Sequence, residues 1–93
     1  MQNYPNPFNP TTNIRYVLPQ AAHVSLKIYN ILGQEVVQLQ NEVQTAGLHE
    51  TVWSGRSNSG QSVSSGVYFY RLEAKALDGS TTFNNFKKML LLK

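Results

Sequence analysis

The sequence contains no cysteine, which excludes a disulfide framework and thiolate metal sites and leaves stability to packing alone. It is also short of charge. Charged residues make up 14% of the 93 positions, against about a quarter in a typical domain. Aspartate occurs once, as Asp78, inside a turn signal, and the two histidines, His23 and His49, sit in strand-like segments. A nucleophile, a base and an orienting group cannot be assembled from this set. Glu35, Glu42, Glu50, Glu73 and Asp78 are scattered along the chain, so paired carboxylates for acid–base work and an acidic cluster for a hard cation are both missing. The expectation is a protein that is not an enzyme, with no catalytic residues, no cofactor and no metal. A calcium ion held by backbone and Asn carbonyls in the opening or the Ser/Asn/Gly loop is the one alternative to solvated turns there. Long apolar runs are absent too: the C-terminal one is four residues, Met89, Leu90, Leu91 and Leu92, far below the roughly 20 of a membrane-spanning helix. The first residues have neither a basic nor an apolar region, so no signal peptide is expected, and export would need an upstream segment.

What is present is uncharged and polar. Asn, Gln, Ser and Thr number 30, enough to carry much of the surface, while 41% hydrophobic and 11% aromatic residues suffice for a core and argue against disorder. At 10.5 kDa one domain is expected, burying roughly 64% of its unfolded surface. Three of the eight basic residues, Lys87, Lys88 and Lys93, lie near the end. They form a local basic tail and not a basic surface.

The dominant period is two, broken by turn residues, which predicts antiparallel strands and no helix. Residues 1–12 form a proline- and asparagine-rich lead-in, extended because proline fixes φ and lacks a ladder donor, and expected to pack on the domain formed by residues 13–93. Strands are predicted over 13–18, with Ile14, Tyr16 and Leu18 inward and Pro19 as the stop, and over 23–29, with Val24, Leu26 and Ile28 inward as a central strand. A turn through Asn30, Ile31, Leu32 and Gly33 leads to 35–40, with Val37 and Leu39 inward. Strand 48–53 ends in the lone Trp53, and a Ser/Gly/Asn loop over 54–66 holds a short edge strand around 61–64. Strand 67–74 carries Tyr68, Tyr70 and Leu72 on one face and Val67 and Phe69 on the other, which places it mid-sheet. Asp78 and Gly79 turn the chain into a last strand over 81–92. About seven strands at this spacing predict an all-β fold, an immunoglobulin-like antiparallel β-sandwich. Gly55, Gly60 and Gly66 are turn glycines, not a phosphate cradle. Aromatics beside Lys87 and Lys88 are the parts of a nucleic-acid site, but the tyrosines alternate as core residues do, so no nucleic acid is expected.

Four motifs, in order, resemble a known family. Asn3-Tyr4-Pro5-Asn6-Pro7-Phe8-Asn9-Pro10, with Thr12 and Ile14, is similar to the first motif of the type A C-terminal sorting domains of the type IX secretion system. Ile28-Tyr29-Asn30-Ile31-Leu32-Gly33-Gln34-Glu35-Val36 resembles its second strand and turn. Gly47, Trp53, Gly55, Gly60 and Ser65-Gly66-Val67-Tyr68-Phe69-Tyr70-Arg71-Leu72 resemble its middle, and Lys87-Lys88-Met89-Leu90-Leu91-Leu92-Lys93 its end. Ser54 stands where many relatives have Asp, and the stretch 78–86 is long and polar, suggesting a protruding hairpin. The resemblance implies an immunoglobulin-like sandwich similar to the Ig-like domain of the flagellar hook-cap protein. It further implies a non-catalytic address that directs a larger, N-terminally fused cargo through the type IX system. The implied partners are the outer-membrane translocon and a surface sortase, and the implied location is the periplasm in transit, then the cell surface or the medium. Pro5, Asn6, Pro7, Gly66, Tyr68, Tyr70, Lys87, Lys88, Leu90 and Lys93 carry over as recognition residues. Their physical alternatives are a covered edge for the prolines, backbone angles for Gly66, core packing for the tyrosines and a lysine-guarded edge strand for the tail. The alternative function is an accessory module of an extracellular enzyme, either carbohydrate-binding through Trp53 or Tyr29, or structural and self-associating through an open edge strand.

Overall fold

The computed structural model describes residues 11–92. Within them six strands follow in order: β1 (Thr12–Leu18), β2 (Ala22–Tyr29), β3 (Glu35–Gln44), β4 (Gly47–Trp53), β5 (Gly66–Ala76) and β6 (Thr82–Leu91). They form two antiparallel sheets, β1-β4 and β3-β2-β5-β6, an immunoglobulin-like all-β sandwich. The prolines Pro5 and Pro7, with Asn6, and Lys93 lie outside the described residues, as does the lead-in expected to pack on the domain up to residue 10, while Thr12, its last residue, opens β1.

Alternation decides which face goes inward. Ile14, Tyr16 and Leu18 of β1 and Ala22, Val24, Leu26 and Ile28 of β2 are buried, as are Leu72, Ala74 and Ala76 of β5. β2 and β5 lie between other strands of the larger sheet, as the apolar residues on both faces of 67–74 predict. Trp53, 1% exposed, is the plug. Its ring meets Tyr68 edge-on at 5.2 Å and 70°, joining the small sheet to the large one. Burying two aromatics with polar tips requires partners for those tips: Trp53 Nε1 donates to the Arg56 carbonyl at 2.9 Å, and Tyr68 Oη to the Ser64 carbonyl at 2.7 Å.

β3 is longer than the predicted 35–40 because its second half faces the other sheet with amides in place of aliphatics. Tyr16 Oη donates to Gln44 Oε1 at 2.6 Å, and Gln40 Nε2 donates to the hydroxyl of buried Thr51 at 3.2 Å. Two bulges, between Leu26/Lys27 and Ile28/Tyr29 in the pairing with β2, bend this strand. The predicted strand at 61–64 is reduced to a single bridge, Arg56↔Ser62. Those residues have no alternating apolar face to bury, and their backbone bonds close the loop on itself, Ser57 N–H to Gln61 O and Gly60 N–H to Ser57 O, both at 2.9 Å. This accounts for six strands where about seven are predicted. The stretch 78–86 is mostly paired strand, since β5 and β6 stay in register as far as Lys75↔Thr82.

Removing the plug leaves a cavity at the junction of the two sheets. Trp53→Ala should cost about 3–5 kcal/mol, a large part of the stability of so small a domain, read as a lowered urea midpoint. The β5–β6 turn adds a pH dependence. The Ser80 hydroxyl first, and its backbone N–H second, hold the Asp78 carboxyl below its ordinary value, the N–H lying 2.8 Å from Oδ1. A carboxylate with a depressed folded pKa contributes stability that is fully present above the unfolded value of about 3.9 and is lost as pH falls through the folded one. Asp78→Asn should therefore remove that contribution at neutral pH, leave stability below the folded value little changed, and so flatten the acid end of a stability–pH profile.

Candidate functional site

The candidate site lies on the outer face of the large sheet, at the end where the β2–β3 turn projects. Cross-strand register sets Tyr29 of β2 opposite Phe69 of β5, and Phe69 opposite Lys88 of β6. Phe86, one outward position along β6, stacks on Phe69 with ring centroids 5.4 Å apart and planes 12° apart. Tyr29, Phe69 and Phe86 thus form a row across three strands, with Phe86 61% exposed. Beside it Arg71 and Ile31 help line an open groove of about 330 Å³.

The turn that borders this groove is held rigidly. Asn30 Oδ1 accepts the backbone N–H groups of Leu32 at 2.9 Å and Gln34 at 3.0 Å, and Asn30 Nδ2 donates to Gln34 Oε1 at 2.9 Å. Gly33 sits at φ +81°, a conformation costly for a side-chain-bearing residue. The result is a fixed tip that presents Ile31, 70% exposed, and Leu32, 77% exposed. On the tip's other side a second groove of about 320 Å³ runs along Leu32, Ser64, Val67 and Tyr68. Adjacent exposed aliphatics on a preorganised turn next to an aromatic row are features of an interaction surface.

The sequence-predicted residues are distributed differently. Gly66, at φ +151°, is needed for its backbone angle where β5 begins. Tyr68 is core, and Tyr70 is half-buried and packed against the core, with burial raising its phenol above the ordinary value. Lys87, opposite Tyr70, lies on the inward side of β6 yet stays exposed, while Lys88 and Leu90 are on the outward side. Of the described candidates, only Lys88 and Leu90 join the outer face that carries Phe86. The sequence reading missed the Phe69–Phe86 stack and the role of Ile31 and Leu32. Apolar residues on both faces of β5 hinted at Phe69, whereas Phe86 is set in a polar stretch.

Chemistry is sparse across this surface. Among the described residues no three His, Cys, Asp or Glu side chains group as metal ligands, and no helix is long and apolar enough to cross a membrane. In the Ser/Asn/Gly loop, Asn58 Oδ1 accepts the Gln38 N–H at 3.2 Å, and Arg56 donates to the Gly60 carbonyl at 3.0 Å. Those groups serve the fold. Burial of Trp53 also withdraws the main stacking platform from the carbohydrate-binding alternative.

Comparison with known proteins fits this architecture. The model of one family, the FlgD Ig-like domain, matches residues 8–80. The crystal structure of FlgD from P. aeruginosa superposes with a TM-score of 0.69 at 24% identity, covering 87% of this chain and 61% of that one. FlgD from Xanthomonas campestris, described in connection with the hook capping essential for flagellar assembly, gives 0.67 at 20% identity, covering 91% and 56%. The chain thus spans about three-fifths of the length of these relatives. No curated protein matches it.

These findings correct the type IX reading. They support the likeness to the hook-cap Ig-like domain and give no support to a sorting signal, so the fused cargo, the translocon and sortase partners, and the route through the periplasm to the cell surface or medium all fall. The carbohydrate-binding and self-associating alternatives, including edge-strand self-association, gain no support either. The physical reason is that the motifs behind the resemblance include parts this fold requires in any setting: the Gly33 turn, the Trp53 plug, the Gly66 backbone angle and the alternating core residues Tyr68 and Leu72. With most of its length matched, from residue 8 to residue 80, the chain belongs to the FlgD Ig-like domain family.

Proposed function

We propose that this chain is a non-catalytic structural domain that serves a hook-cap-type assembly, holding a rigid sandwich in place and offering its outer face to neighbouring proteins. The observation that carries the proposal is the family match over residues 8–80. The likeness to FlgD structures across 87% and 91% of the chain supports the fold on which it rests. The surface is consistent with such work. Its exposed features are an aromatic row and a fixed apolar tip, which suit contacts between proteins, and its polar tips and amides are occupied in holding the sandwich together.

A domain exchange tests this. Residues 1–93 replace the Ig-like domain of Xanthomonas campestris FlgD in a strain lacking that protein, and hooks are counted by electron microscopy. The expected outcome is partial restoration of hooks, lost again with Ile31→Ser and Leu32→Ser together. A chimera that is folded and present at normal levels, yet yields no hooks, would refute the assignment.

A further inference from the structure

The large sheet has two edges, and they are treated differently. β3 is bent by two bulges, and its free side is hydrogen-bonded by the loop that follows Trp53: Asn58 N–H donates to the Val36 carbonyl at 3.0 Å, and Gln38 N–H donates to Asn58 Oδ1 at 3.2 Å. Bulges and covering segments are common ways to prevent an edge from pairing. β6 has neither. Its register with β5 is unbroken from Gly66↔Leu91 to Lys75↔Thr82, and among the described residues it pairs with β5 alone. The family match ends at residue 80, so this strand lies beyond what the family model covers.

The side chains of β6 select a partner. Its outward face reads Phe86, Lys88, Leu90, which is apolar, cationic, apolar, with Phe86 and Leu90 both more than half exposed. Lys87 puts a second positive charge on the other side of the same edge. The described ion pairs are Arg15–Glu50, Lys27–Glu35 and Arg71–Glu73, and neither Lys87 nor Lys88 takes part in one. A second copy of this chain would bring its own lysines and a net charge of +3 against the same edge, which opposes pairing of like with like. An extended acidic segment meets a lysine whichever face its carboxylates take.

We propose that the free edge of β6 is a docking strand for an extended acidic segment of another protein, which adds to the sheet beside β6 and sets an apolar–acidic–apolar pattern over Phe86, Lys88 and Leu90. Main-chain hydrogen bonds along the edge supply affinity, and the alternating side chains supply choice of partner. The inference deepens the assembly reading and rests on it for the expectation of a protein partner.

The isotope-labelled 93-residue chain is titrated with a blocked peptide as long as β6 built on the repeat Val-Thr-Glu-Thr, which sets Val and Glu alternately along one face, and amide shifts are followed by NMR. The expected result is shifts concentrated on β6 and on Phe69 and Arg71, with slowed amide exchange on the free side of β6. Affinity should fall by at least about tenfold in the double variant K87E/K88E, as reversal of contact charges implies, and the same peptide with Lys in place of Glu should not bind. Equal binding of the lysine peptide, shifts centred on β1 and β4, an unchanged affinity in K87E/K88E, or no binding would each overturn the proposal. So would a concentration-dependent dimer in sedimentation that protects the β6 amides, which would make a second copy the occupant. If K87E/K88E loses its fold by circular dichroism, the two peptides on the unmodified chain decide. Failure here with the FlgD chimera still assembling hooks sinks the edge alone, whereas a failed chimera with intact peptide binding sinks the assembly reading alone.

Discussion

Trp53 is the contact through which the two sheets determine each other. Its indole is fully buried against the edge of Tyr68, so the small sheet cannot slide along the large one without opening a cavity at that point. Its Nε1 must also find an acceptor in an apolar site, and it finds the Arg56 carbonyl. That hydrogen bond anchors the start of the loop that follows β4. The loop then reaches β3, where Asn58 bonds on both sides of Val37 through the Val36 carbonyl and the Gln38 N–H. A single buried aromatic therefore has a consequence at a distant strand. It fixes a loop, the loop covers one edge of the large sheet, and among the described residues the other edge has no such cover.

The unequal widths of the sheets explain the rest of the surface. Two strands stand opposite four, so the inward side of β6 is covered toward Leu91 and open toward Lys87. A cysteine-free domain of this size has a small stability margin, and it uses hydrogen-bonded amides to close the gaps that apolar side chains do not fill. Gln40 and Gln44, working with Thr51 and Tyr16, join β3 to the facing sheet. Among the described residues no buried side-chain nitrogen or oxygen lacks a partner, which is what makes polar closure of a sandwich edge tolerable.

Much of this was legible before the structure. Alternation of apolar and polar residues exposed β1, β2 and β5, because burial of one face imposes a period of two, and the apolar residues on both faces of β5 placed it inside the sheet. The lone Trp53 was placed at the end of an alternating strand, and the structure makes it the plug of the core. The continuation of β3 to Gln44 was hidden because glutamines there do the work of core residues and carry no hydrophobic signal. The expected strand at 61–64 failed for the converse reason, since Ser and Gly satisfied their backbone locally. Phe86 could not be found from its own surroundings. Its importance comes from Phe69, and a diagonal contact across two strands depends on register. Among the candidate recognition residues, Gly66 and Tyr68 have places in the backbone and the core, so at those two positions the motif likeness reflects the fold.

Lysines on an exposed strand are usually taken as guards against edge-to-edge pairing, and on β6 that role and a recognition role follow from the same electrostatics. A cationic edge raises the free energy of pairing with an identical cationic edge and lowers that of pairing with an acidic one. No extra device is needed to convert protection into selectivity. The apolar residues on either side of Lys88 matter because charge alone gives attraction without register: Phe86 and Leu90 penalise any alignment that leaves them facing polar groups. Phe86, moreover, is already held by its stack on Phe69, so a partner finds this anchor ordered and less conformational entropy remains to be lost on binding. An edge that is unbroken in register, cationic and preordered at its aromatic end is therefore closed to its own kind and open to one class of strand.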